Sequence, residues 1–160
     1  MNHGLTPVRV VITFVVVLVF YFAAFNWLQD WQTRKGPWEV TFTTDATGNP
    51  SITIYQPKLN ISSVELVFLG EKLEQTNLSQ TVSFNRVNAA VPFGKVIFLD
   101  LMILPGTVTL DLFGHEVELL PRTLILNKKE YPWRSDSVIE LSPTNKLPVA
   151  PKPPKGFYVR

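Results

Sequence analysis

The 160 residues carry 15 Lys and Arg against 13 Asp and Glu, and 46% of them are hydrophobic. A chain so composed can bury a sizeable core, which excludes global disorder, and its near-neutral charge leaves no electrostatic footprint for nucleic acid. It has no cysteine, so disulfides, thiol nucleophiles and cysteine-based zinc or iron–sulfur sites are excluded.

After a short leader, residues 1–9, Val10–Leu28 reads VVITFVVVLVFYFAAFNWL. From Val10 to Phe25 there is no charge, and Thr13 and Tyr21 supply the only polar side chains. Nineteen helical residues at about 1.5 Å each cover roughly 28 Å, the thickness of a bilayer's hydrocarbon core. A spanning backbone must satisfy its own hydrogen bonds, so the modest helix propensity of Val and Phe matters little in lipid. Val10, Phe14, Val17, Phe20 and Phe25 are the expected lipid-facing anchor residues, with Trp27 and Trp31 suited to the headgroup layer. A cleaved signal peptide has a shorter apolar region and a small-x-small cleavage site. Here Phe25, Asn26 and Trp27 follow Ala23-Ala24 and make poor cleavage neighbours. A buried helix of a soluble domain would show a polar face, and this one has none.

Orientation follows weakly from charge. Arg9 stands on one side, and Arg34 and Lys35, offset by Asp30, on the other. The positive-inside rule leans slightly towards a cytoplasmic domain, whereas the layout of a short leader before a long apolar run resembles a bacterial signal-anchor with an exported, periplasmic domain. The second reading is preferred, because a large domain translocates largely regardless of its charges.

Residues 29–37 form a juxtamembrane link in which Gly36-Pro37 breaks the helix. The period then changes from solid apolar to alternating. Trp38–Thr44 places Trp38, Val40 and Phe42 on one face, DATGNP (45–50) is a turn, and Ser51–Tyr55 alternates again, predicting a hairpin. Leu59–Leu69, Leu78–Phe84, Thr107–Phe113, His115–Leu120 and Arg122–Leu126 are further strands, with Glu71–Asn77 a loop and Asn85–Gly94 a long connection. Val96–Leu104 is apolar on both faces apart from Asp100, which predicts a central strand covered on both sides. From Asn127 the pattern loosens, and Val138–Leu141 is a last short strand. Short strands punctuated by Gly and Pro predict an all-β domain over residues 38–141, an antiparallel β-sandwich with a small barrel as the alternative. The basic, proline-rich tail, 142–160, is expected to be extended.

The candidate chemistry is sparse. His3 lies in the leader, and His115 is read as an exposed turn residue with no triad or metal-ligand spacing around it. Glu116 and Glu118 share one strand face while His115 points to the other, so they form a solvated face rather than a metal site. Asp111 falls on a polar parity. Asp100 sits among apolar neighbours, and a structural carboxylate paired with Arg86 or Arg122 is preferred over a catalytic one. No phosphate loop, nucleophile elbow or calcium loop occurs in the sequence, so no catalytic, cofactor or metal residues are assigned. Tyr131-Pro132-Trp133, outside any clear strand, is the aromatic cluster expected near the surface. Tyr131 and Trp133, with Pro151, Phe157 and Tyr158 of the tail, are the candidate partner contacts.

The layout resembles, in general terms, single-pass accessory subunits of envelope or energy-transducing membrane assemblies. The expectation is a non-catalytic subunit held in the bilayer whose β domain docks on other subunits of a membrane complex. A membrane-tethered module for a glycan or small apolar solute is the alternative, and an enzyme centred on Asp100 the third.

Overall fold

The computed structural model describes residues 7–148; Pro151, Phe157 and Tyr158 lie outside that range, as does His3. The first element, α1 (Pro7–Thr33), is a single 27-residue helix. Pro7 suits a first helical position, where its missing N–H has no intrahelical partner to lose. Thr13 returns its hydroxyl to the Arg9 carbonyl one turn back, at 2.9 Å, so the polar group within the apolar run is satisfied internally. Over Pro7–Trp31 the helix is long and apolar enough to cross a bilayer, and none of that stretch is buried against the rest of the chain.

The remainder forms two five-stranded sheets. One has the order β10 (Val138–Leu141), β3 (Ile61–Phe68), β2 (Pro50–Gln56), β1 (Glu39–Thr44), β4 (Ser79–Ser83); the other is a meander of β5 (Lys95–Asp100), β6 (Thr107–Leu112), β7 (His115–Leu119), β8 (Leu124–Leu126) and β9 (Lys129–Tyr131). Their apolar faces pack on one shared core, so the domain is a β-sandwich and not a closed barrel. The alternation in the sequence translates directly. Trp38, Val40 and Phe42 of β1 and its flank, Ile52 and Ile54 of β2, and Leu110 and Leu112 of β6 are fully buried, while the intervening residues face outward. The β1–β2 hairpin pairs Val40 with Ile54 and Phe42 with Ile52 across the DATGNP turn, as expected.

Several expectations are corrected. All pairings but one are antiparallel; β10 runs parallel to β3, with Ile139 opposite Leu66. The reason is topological: β9 ends at the rim nearest α1, the chain crosses to the other sheet there, and β10 must start from the rim where β3 also starts. A strand missed in the sequence, β9, follows β8 through Asn127 and Lys128, both at positive φ (51° and 67°). Two left-handed residues make a primed hairpin turn, but Asn-Lys lacks the glycine that usually signals it.

Tyr131 and Trp133, expected near the surface, are partly exposed there and also pack against the core. The tail also begins as structure: Pro143–Asn145 is a 3-10 turn, and the following Lys146 forms an ion pair with Glu71.

The largest departure is β5. It is an edge strand, not a central one, and it ends at Asp100. A bulge between Val96 and Phe98 interrupts its pairing with β6. Val96 and Leu99 pack on the core, whereas Ile97 and Phe98 are more than half exposed. The outer face of this apolar run is left uncovered among the described residues.

Candidate functional site

The rim of the sandwich nearest α1 gathers the features that relate the domain to the helix. Five residues separate the end of α1 from β1, and they are held. The buried side chain of Gln56, at the end of β2, donates from Nε2 to the carbonyls of Gly36 (3.2 Å) and Pro37 (2.6 Å). Its Oε1 accepts the Lys58 N–H at 3.3 Å. One amide therefore pins the link to β2 and caps the 3-10 turn that follows, so the joint is a bracket rather than a free tether. At the helix end, Arg34 pairs with Asp30 one turn earlier, at 3.3 Å.

Two tryptophans tie the sheets together at this rim. Trp38, fully buried, donates from Nε1 to the carbonyl of Gly106 at 2.9 Å, joining the start of β1 to the β5–β6 loop. Trp133 lies against it with ring centroids 5.4 Å apart and donates to the carbonyl of Leu120 at 2.9 Å, joining the crossover to the β7–β8 loop. Gly106 is required here. Its φ is +74°, and a Cβ would run into the Asp100 carbonyl oxygen.

Between Asp100 and Gly106 the loop Leu101-Met102-Ile103-Leu104-Pro105 carries a cis Leu104–Pro105 bond and exposes Met102 (84%) and Ile103 (53%). Leu101, Met102 and Leu104 line a cleft of about 520 Å³ whose opposite wall is Asn26, Gln29 and Asp30 of α1. An adjoining recess brings Lys35 beside Met102 and Ile103.

The expected chemical residues resolve as follows. Asp100 accepts the Met102 N–H at 2.9 Å and so caps the turn that leads into the exposed loop. Neither Arg86 nor Arg122 pairs with it in the ion pairs formed among the described residues. Asp111 faces outward, paired with Lys95 at 3.1 Å and accepting the Gly114 N–H at the β6–β7 turn. Glu116 and Glu118 share the outer face of β7. Burial first, and then the neighbouring Glu116, push the Glu118 carboxyl up from its ordinary value. No group of three or more acidic or histidine side chains among the described residues is arranged to hold a metal.

His115 is not the exposed turn residue that its neighbour Gly114 suggests: it is 1% exposed, on the inward parity shared with Val117 and Leu119. Its Nδ1 meets the Asn127 side-chain amide at 2.9 Å, while Nε2 is buried with no hydrogen-bond partner. Burial, reinforced by Lys146, lowers its pKa, which favours the neutral ring. Asn127 also bonds the Asn145 carbonyl, at 2.6 Å, and so draws the segment after β10 onto the far end of the domain. At the same end, Asp45 accepts four hydrogen bonds, from the backbone and side chains of Asn49 and Thr47, at 2.7–2.9 Å. These donors, the Asn49 N–H foremost, hold its carboxyl at about 2.

Sequence reasoning missed Gln56 and Asn127. Both lie beside a chain reversal, and a polar residue there carries no mark of the distant carbonyl it serves. An open recess of about 640 Å³ beside β4 is lined by Gln80, Thr81, Ser83, Arg86 and Asn88 among others, without an aromatic side chain. No family model, curated protein or solved structure matches this chain.

Proposed function

We propose that this chain is a single-pass, membrane-anchored, non-catalytic accessory subunit whose β domain docks on the extramembrane face of a larger membrane complex. One observation carries the reading: edge strand β5 turns Ile97 and Phe98 outward, 53% and 55% exposed, on a domain bracketed to an apolar helix. An edge strand with apolar side chains and unpaired backbone groups is a liability for a free protein and an asset for one with a permanent neighbour. The bracket supports the same reading, because a domain held close to the bilayer presents β5 at a fixed height to a membrane-embedded partner. We place the helix in a bacterial inner membrane and the domain in the periplasm, on the signal-anchor layout of the first 28 residues. Trp38, Phe42, Phe84 and Phe93 are all in the core, so the glycan-module alternative draws no support from them as a stacking platform.

The test is site-directed photo-crosslinking in native membranes. A photoreactive residue at Phe98 should give a discrete cross-linked product with another membrane subunit. The same probe at exposed Lys72, on the opposite end of the domain, should not, and Ile97→Asp should suppress the Phe98 product. A Phe98 probe that yields no adduct, with the protein running alone in mild detergent, overturns the proposal.

A further inference from the structure

We infer that the β5–β6 loop is a second lipid contact, with Met102 and Ile103 inserted into the headgroup–acyl boundary beside the end of α1. The inference rests on the reading of α1 as a membrane helix and adds to it a fixed seat for the domain on the bilayer surface. Three observations place the loop there. Met102 and Ile103 are among the exposed large apolar side chains of the domain, and they stand side by side at the tip of one loop. That loop shares a cleft with Asn26, Gln29 and Asp30. These helix residues lie between and beside Trp27 and Trp31, the level at which aromatic side chains mark the membrane–water boundary. Lys35 lines a second recess together with Met102 and Ile103, and an ammonium there would meet lipid phosphate while the apolar pair enters the acyl edge.

The loop is also built to hold this pose. The Met102 N–H is taken by Asp100, Gly106 packs where no side chain fits, and Trp38 grips the Gly106 carbonyl. Its exposed tip is therefore presented by a braced base rather than by a slack segment. The Gln56 bracket on Gly36 and Pro37 fixes the spacing between this rim and the helix. A bilayer, and not a protein groove, is the occupant we assign, because the loop shares a cleft with the helix residues that adjoin Trp27 and Trp31, at the end of the apolar run. The distinction from β5 follows: Ile97 and Phe98 lie along the strand, away from the tip, and remain available to a partner subunit.

The chain's lack of cysteine makes the test direct. Single cysteines replacing Met102, Ile103, Phe14 or Lys72 in the full-length protein are labelled with an environment-sensitive fluorophore and reconstituted into phosphatidylcholine vesicles with no other protein. The readout is emission wavelength and quenching by lipids brominated near the glycerol backbone or deep in the acyl chain. The expected result is a blue shift and quenching by the shallow bromines at positions 102 and 103, quenching by the deep bromines at 14, and neither at 72. Unquenched probes at 102 and 103 with a quenched probe at 14 overturn the loop contact and leave the membrane helix standing. A blue shift at 102 without lipid quenching means that protein covers the loop, and it also overturns the inference. An unquenched probe at 14 removes the membrane helix, and the loop contact falls with it.

Discussion

The two ends of the sandwich are built from opposite materials. The rim near α1 is stitched by tryptophan N–H groups and one buried glutamine amide, and it leaves an apolar loop exposed. The far end is a polar weave: Asp45 with its four donors, Lys146 with Glu71, and Asn127 between His115 and Asn145. Both ends close the same core, so the contrast is not about covering hydrophobic surface. Apolar closure suits an end that meets lipid or another subunit, because burying its remaining surface is favourable. Polar closure suits an end bathed in water, where charge-assisted bonds hold turns without creating a sticky patch.

The largest effect should come from removing the stitch at the helix-proximal rim. Trp38→Ala empties a fully buried position and frees the Gly106 carbonyl, and a loss of about 3–5 kcal/mol is expected. Urea unfolding of the full chain in detergent micelles, followed by circular dichroism, measures it. Less costly is Gln56→Ala, which should lower stability by about 1–3 kcal/mol by removing the buried amide that the half-buried Gly36 and Pro37 carbonyls accept from. Its sharper signature is local: trypsin should cut after Arg34 or Lys35 faster than in the parent, with the rest of the domain still resistant. An unchanged cleavage rate would show that the link does not depend on that amide.

The far end is probed by pH. His115 has its folded pKa below the ordinary 6.5 because burial disfavours the charged ring. The unfolded chain therefore takes up this proton first as pH falls, so the contribution is fully present above 6.5, declines below it, and is lost as pH falls through the folded value. His115→Phe should flatten that limb of the stability–pH curve; a limb of unchanged slope would mean that another group causes it. The smallest effect belongs to Asp45, which lies at the surface. Its carboxyl is held at about 2 in the fold against 3.8 when unperturbed, so its contribution is present above 3.8 and lost as pH falls through about 2. Asp45→Asn should shrink the acid transition in that window and leave neutral stability little changed, as urea midpoints at each pH would show.

Much of this architecture is legible without coordinates. The unbroken apolar run can be read because lipid demands a long stretch without charge, and the core strands because a pleated chain buries alternate residues. Trp38, Val40 and Phe42 needed no more than that rule. His115 illustrates where local signals conflict: Gly114 marks a turn, but strand parity with Val117 and Leu119 puts the ring inside, and parity wins because the strand begins at His115 itself. The candidate site was less legible. Tyr131 and Trp133 stand out in the sequence for their aromaticity, yet what Trp133 does depends on Trp38, 95 positions earlier in the chain.

The amino-acid order by itself determined the helix, the pleated segments and which side chains of each turn inward, because those depend on periodicity within a few residues. Only the tertiary structure decided which strand became an edge, that the last strand runs parallel, and that a loop of Leu, Met and Ile stands beside the helix end. Those outcomes depend on which sheet each segment joins and on what covers it. An apolar side chain reads the same in a sequence whether its neighbour is the core, a lipid or another subunit.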